Sequence, residues 1–294
     1  MMRRLITAMA VCLLVSQVVL AQETTPEVTA EPVQAYYNPD GRFGIALPVE
    51  WQNQSAGAIT HFHNGRSDIY VMQAAVTDAT AGIQQALGLV NAEYAGEPLY
   101  TSEVTLTNGP WTQQFFRPDA VVVISAFGQV YDGRTFVVLH VHEDAASDLV
   151  PLVVTDTDIQ AGMAQALKVV LGDAPTEMAE QQESLTASEA TVSEARYAIA
   201  DDVQAVLRAE QPFDSMTNFI VVEQGAAEAL VPVEDTFFQV LLSLFVTPNT
   251  TEYLWLGLAA SAVVLLVFIG GLVLRQRGLR ADLRVIEQLG RDEE

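Results

Sequence analysis

Val121-Val-Val-Ile-Ser-Ala-Phe-Gly-Gln-Val-Tyr-Asp-Gly-Arg-Thr-Phe-Val-Val-Leu-His-Val-His142 decides the fold class of this chain. Two apolar runs, Val121–Val130 and Thr135–Val141, flank Asp132-Gly133. Asp-Gly is hairpin chemistry, because both residues tolerate the positive φ that a tight primed turn demands. The two runs are therefore predicted to be antiparallel neighbours. Upstream, Ser102–Thr107 and Trp111–Phe116 flank Asn108-Gly109 in the same way. Ala58–Phe62 and Ile69–Val76 flank the turn residues Asn64–Asp68, and Phe43–Leu47 is a short strand closed by Pro48. The period changes twice. Ile83, Leu87, Val90 and Tyr94 recur at helical spacing over Thr80–Tyr94, and Ile159, Met163, Leu167 and Val170 do so over Asp156–Leu171. Asp156 and Asp158 suit the start of that second helix, where free amides accept an anionic cap. The order over 36–172 is three strands, a helix, four strands and a helix. It predicts an α+β domain, a mainly antiparallel sheet with two helices packed on it.

The opening of this region adds a resemblance. Asp40-Gly41-Arg42-Phe43-Gly44-Ile45-Ala46-Leu47-Pro48 followed by Trp51 is similar to the start of domains in the PsbP-like superfamily of exported α+β domains. The matching features are Phe43, the strand Ile45–Leu47, Pro48 and Trp51, within residues 36–172. The resemblance implies a PsbP-like fold and a non-enzymatic accessory or assembly role.

Beyond this domain the chain divides by composition. Residues 173–193 are polar and contain Pro175, which predicts a linker or frayed helix. Residues 194–252 are expected to form a small helical and strand module beside the membrane, with a helix over 194–210 and a strand within Phe213–Val222. Phe237–Val246 is an uncharged apolar run. It suits the membrane surface or a partner, with a core helix as the alternative.

Both ends carry addressing signals. Met1-Met2-Arg3-Arg4 precedes an apolar run to Leu20, the pattern of an export signal over residues 1–21, with cleavage expected after Ala21. An uncleaved signal anchor is the competing reading. Residues 22–35 form a polar lead-in containing Pro26 and Pro32. Residues 253–274 carry no charge and are long enough for a helix to cross a hydrocarbon core of ~30 Å. Arg275, Arg277, Arg280 and Arg284 follow at once, which places the 275–294 tail on the cytoplasmic side and the N-terminus outside. A single-pass protein of the cell membrane is expected, and the acidic composition with Lys168 as the one lysine fits a bacterial source. Gly257 and Ser261, four residues apart, offer a close approach to another helix. A membrane-protein partner is therefore expected through residues 237–274.

Charge narrows the function classes. Residues 22–252 hold 32 acidic and 7 basic residues, a net of −25. A field of that sign repels nucleic acid and anionic lipid. Cys12 is the one cysteine and lies inside the export signal, so thiolate catalysis and cysteine-held metals are excluded from the mature chain. The sequence shows neither a Gly-x-Ser-x-Gly elbow nor a phosphate-binding glycine loop, and no catalytic or cofactor-binding residue is assigned. The one metal-binding candidate is the full set of histidines: His61-Phe62-His63 and His140-Val141-His142. Residues two apart on a strand share a face. Each pair thus presents two imidazoles together, and four converging would hold a transition metal such as zinc, copper or nickel. The alternatives are ordinary surface histidines, polar core contacts or a pH-responsive patch. The leading expectation is an accessory or interaction protein, with a metal-dependent extracytoplasmic protein as the runner-up.

Overall fold

A computed structural model describes residues 33–173, 177–185, 190–200, 202–213, 215–228, 230, 236–247 and 251–291. The expected export signal and the expected lead-in up to residue 32 lie outside the described residues. The hairpin that opened the reading is present. Strands β8 (Val122–Tyr131) and β9 (Arg134–Glu143) pair antiparallel around Asp132 and Gly133, with φ of 50° and 68°. Around them forms a seven-stranded sheet with β3 (Gln52–Asn53), β4 (Thr60–His63), β5 (Ser67–Ala74), β6 (Tyr100–Leu106) and β7 (Gly109–Phe116). Its order is β3-β4-β5-β9-β8-β7-β6, antiparallel throughout.

Helix α1 (Ala79–Val90) covers one face of this large sheet, with Ile83, Ala86 and Leu87 packed on Met72, Ile124, Val137 and Leu139. Asp78 caps it by accepting from the Ala81 amide at 2.7 Å. The second helix, α2 (Ile159–Leu171), is capped by Asp158 as its sequence predicts. It does not join α1 on the large sheet. It packs on a second, five-stranded sheet, so the expectation of two helices on one sheet is corrected. The broader reading, antiparallel sheets plus helices and one long apolar C-terminal helix, stands.

That second sheet is where sequence and structure differ most. It is an antiparallel array of β10 (Ser147–Thr155), β11 (Glu177–Leu185), β12 (Thr191–Ala200), β13 (Val203–Gln211) and β14 (Thr217–Ala226), ordered β10-β14-β13-β12-β11. The expected linker at 173–193 contains strand β11, and the expected helix at 194–210 is the β12–β13 hairpin. β10, inside the 36–172 region, pairs along its length with β14, so 173–193 does not divide the fold into two modules. Small buried residues explain the outcome: Ala195, Ala205 and Ala209 form a flat face under α2, and Leu207 and Ile220 complete it. Tertiary packing overrides the helix preference of an alanine-rich segment.

A small third sheet closes the core. β1 (Val33–Tyr37), β2 (Phe43–Pro48) and β15 (Phe245–Val246) pair in the order β1-β2-β15. β1 begins at Val33, so the lead-in ends before 35. Between the large and second sheets lies α3 (Thr236–Ser243). Phe237, Phe238, Val240, Leu241, Leu244 and Val246 are all buried, against Phe43 and Leu47 of β2, Phe127 and Phe136 of the large sheet, and Leu149 and Val221 of the second. Helix α3 and Leu244 are therefore core elements, which corrects the assignment of 237–244 to a partner or lipid contact, while Phe245 is 62% exposed. An uncharged helix with so broad an apolar surface needs apolar cover, and here protein supplies most of it, with Gln239, Leu242 and Ser243 half-buried.

Beyond Val246, α4 (Thr251–Arg291) is one continuous helix of 41 residues. Leu254–Gly278 has a mean hydropathy of 2.6 and is not buried by any described residue. It is the one helix among the described residues long and apolar enough to cross a membrane. At 1.5 Å per residue α4 measures about 60 Å, twice the ~30 Å of a hydrocarbon core.

Candidate functional site

The two histidine pairs lie two strands apart, on β4 and β9, with β5 between them. Pairing places His63 opposite Asp68 and Asp68 opposite Val141; it places His61 opposite Tyr70 and Tyr70 opposite Leu139. His140 stands opposite Ile69, and His142 opposite Ser67. Directly opposed residues share a face, and a one-residue offset reverses it. His61 and His63 thus share the α1 face with Val141, whereas His140 and His142 point to the inner face with Phe62 and Ile69. The four imidazoles do not converge. Among the described residues no group of three or more histidine, cysteine or acidic side chains has an arrangement suited to a metal ion.

The outer pair forms a compact polar cluster. His61 Nε2 lies 2.5 Å and His63 Nδ1 3.0 Å from the same oxygen of Asp68, Oδ1. A carboxylate only accepts, so each ring nitrogen donates. His61 also stacks on Tyr70, with ring centroids 4.4 Å apart. Burial, followed by the negative charge of Asp68 and the neighbouring Tyr94 and Glu143, pushes the Tyr70 phenol up to about 12. The Tyr94 phenol is raised as well, by burial first and Glu143 second. The cluster therefore offers two imidazoles, a carboxylate and protonated phenols at a half-open surface. A metal ion entering here would first have to displace both hydrogen bonds on Asp68.

The inner pair is sealed. His140 is 3% exposed, and burial, then the adjacent His142, holds its imidazole down to about 3. His142 is lowered too, by burial first; the Ser147 carbonyl works against that shift and Arg66 with it. His142 Nε2 donates to the Ser147 carbonyl at 2.9 Å, leaving Nδ1 to accept from the Ser67 hydroxyl at 3.0 Å. This serine–histidine contact is closed to substrates, since Ser67 is 1% exposed. Both Ser67 and His140 line a cavity of about 10 Å³, enough for one water molecule and no more. The ring of His140 packs edge-on to Phe237 of α3 at 5.4 Å. Nearby, Arg66 in the β4–β5 turn pairs with Glu223 of β14, whose side chain is fully buried. Gln113 adds a neutral link between the same two sheets: its amide accepts from Val153 N–H at 2.7 Å and donates to Val153 C=O at 3.2 Å.

A second candidate emerges only from the tertiary structure. Where α3 meets the inner face of β13 and β14, Phe219, Val221, Phe238 and Leu242 form apolar walls of a cleft of about 230 Å³, and Arg208 and Glu210 stand at its edge. Sequence reasoning missed it because 194–210 reads as helical. The available signal was the alternation of Ala205, Leu207 and Ala209 with Val206, Arg208 and Glu210, which is a strand period.

No family model matches this chain, and no curated protein matches it. Among solved structures, the cyanobacterial PsbP protein (CyanoP) from Synechocystis sp. PCC 6803 shares 9% identity over 75% of this chain and 96% of that chain, with a TM-score of 0.22. The di-domain ARO/CYC protein StfQ from the steffimycin biosynthetic pathway shares 13% identity over 59% of this chain and 91% of that chain, with a TM-score of 0.13. These likenesses are slight.

Proposed function

We propose that this chain is a membrane-anchored extracytoplasmic accessory or interaction protein, a subunit or assembly factor of a larger membrane complex. The observation that carries this reading is the fully exposed apolar stretch Leu254–Gly278, which follows a core-forming body directly and runs on into the arginine-rich tail. In water, so large an apolar surface without cover is strongly unfavourable, and a bilayer removes the cost. Arg275, Arg277, Arg280 and Arg284 beyond the span favour a cytoplasmic tail and an outer body. With α3 and Leu244 packed in the core, the partner contact proposed for 237–274 narrows to the span 253–274. The alternative of a metal-dependent protein is left with His61, His63 and Asp68, which already satisfy one another.

The test is purification from native membranes in mild detergent through a C-terminal tag, with identification of co-eluting proteins and metal analysis of the same sample. A stoichiometric membrane partner that is lost when residues 253–274 are exchanged for an unrelated span supports the proposal. A solitary protein carrying a stoichiometric metal lost in His61→Ala overturns it in favour of the alternative.

A further inference from the structure

The small sheet has one face in the core and one face outward, and the outward face is apolar on all three strands. Phe43, Ile45 and Leu47 point into the core. Gly44, Ala46 and Pro48, the alternate residues, point the other way. Pairing sets Tyr37 and Phe245 on either side of Gly44, Ala35 beside Ala46, and Val33 beside Pro48. Val33 is 56% exposed, Tyr37 75% and Phe245 62%. Tyr37 lies close over Gly44, where a Cβ would stand 3.0 Å from its ring. Not one of these residues is charged, in a region whose net charge is −25. Contiguous apolar surface of this kind marks a contact face.

Its position names the occupant. Thr247, next after β15, is held on both sides: its N–H donates to Arg42 O at 3.0 Å, and its carbonyl accepts from Arg134 Nη2 at 2.8 Å. Helix α4 begins at Thr251. Four Cα steps reach at most about 14 Å, so this edge of the small sheet is held beside the start of the apolar helix. The polar layer on each side of a bilayer is itself about 5–8 Å deep. The cations at the rim have acids close by, Arg42 with Asp40 at 3.4 Å and Arg134 with Asp132 at 3.8 Å, so local charge gives no preference for anionic lipid.

The geometry points to the outward face of the small sheet, Val33, Ala35, Tyr37 and Phe245, seating in the interfacial layer of the bilayer that α4 spans, against zwitterionic phospholipid. This inference rests on α4 being a membrane span. Tyrosine and phenylalanine suit that depth, with the Tyr37 hydroxyl among the headgroups. The docked pose fixes the body's orientation. Helix α1 and the His61–Asp68–His63 cluster are on the far side of the large sheet from this face, so they are presented to the aqueous phase.

The test uses the full chain on a Cys12→Ser background in phosphatidylcholine vesicles, with a fluorophore on single cysteines at Tyr37→Cys, Phe245→Cys, Val264→Cys in the span and Leu89→Cys on α1. The lipids carry bromine quenchers at shallow or deep acyl positions. Labels at 37 and 245 are expected to lose fluorescence to shallow bromines, the label at 264 to deep ones, and the label at 89 to neither. Quenching at 264 with labels at 37 and 245 as bright as that at 89 overturns the seating while leaving the span intact. A blue-shifted but unquenched label at 37 or 245 identifies a protein occupant and overturns it too. An unquenched label at 264 removes the span and the seating together.

Discussion

Replacing Phe237 by alanine should destabilise the folded body severely, whereas the same change at Phe245 should cost little. Phe237 is 3% exposed and sits where three structural units meet. Its ring centroid lies 5.5 Å from Phe127 of the large sheet, 5.4 Å from His140 and 5.9 Å from Phe238. Truncation removes the transfer free energy of a buried ring and leaves a void that joins the cavity already bordered by His140. Such changes cost about 3–5 kcal/mol. For a body of some two hundred residues each kcal/mol lowers Tm by about 2–4 °C, so a fall of roughly 10 °C is expected. Phe245 is 62% exposed, and its truncation should remain within about 0.5 kcal/mol in detergent. The assay is thermal and denaturant unfolding of the full chain in mild detergent, followed by tryptophan fluorescence. Trp51 and Trp111, 3% and 0% exposed, report the body. If α3 faced lipid or a partner, both variants would unfold like the parent. That outcome would refute the core assignment of α3.

Two further outcomes follow from the same interior. The unfolded chain takes up protons on His140 and His142 that the folded chain refuses, because burial lowers both imidazoles, His140 to about 3 from an ordinary 6.5. Stability should therefore be independent of these groups above pH 6.5 and fall as pH drops below it. His140 alone contributes a loss of about 2 kcal/mol between pH 6.5 and 5, and His140→Gln should flatten the measured slope by that amount relative to the parent. Removing one member of the Arg66–Glu223 pair by Arg66→Met leaves a buried carboxylate and should cost about 3–5 kcal/mol in the same unfolding assay, while Arg66→Met with Glu223→Leu should recover most of it.

Local chemistry made much of the large sheet readable. Asn64-Gly65 and Asp132-Gly133 sit in hairpin turns, the third turn is Thr107-Asn108 with Gly109 opening β7, and both long amphipathic stripes are helices. The second sheet and α3 were hidden for three local reasons. Pro151 in Ser147–Thr155 looks like a strand breaker, but β10 is an edge strand, where proline is tolerated. Glu, Gln and Ala in β11 to β13 favour a helix locally, and only the packing of Ala195, Ala205 and Ala209 beneath α2 makes them strands. The uncharged run 237–246 carries no sign of which apolar surroundings it has, protein or lipid, until the two sheets close over it. The histidine site failed for a reason of register. Each His-x-His pair does share a face, as period two requires, but strand β5 sets the pairs out of phase by one residue, and pairing offsets across a third strand are not written in either motif.

The most direct test of the membrane-anchored arrangement is protease access in cells expressing the chain with a C-terminal tag. Protease is added from the outside before and after lysis, and the membrane fraction is probed for the tag. The account predicts that external protease removes the body in unlysed cells and leaves a short tagged fragment, comprising α4 and its tail, in the membrane until lysis exposes it. Full-length protein surviving external protease, or a tag that leaves the membrane fraction with the soluble proteins, would contradict it.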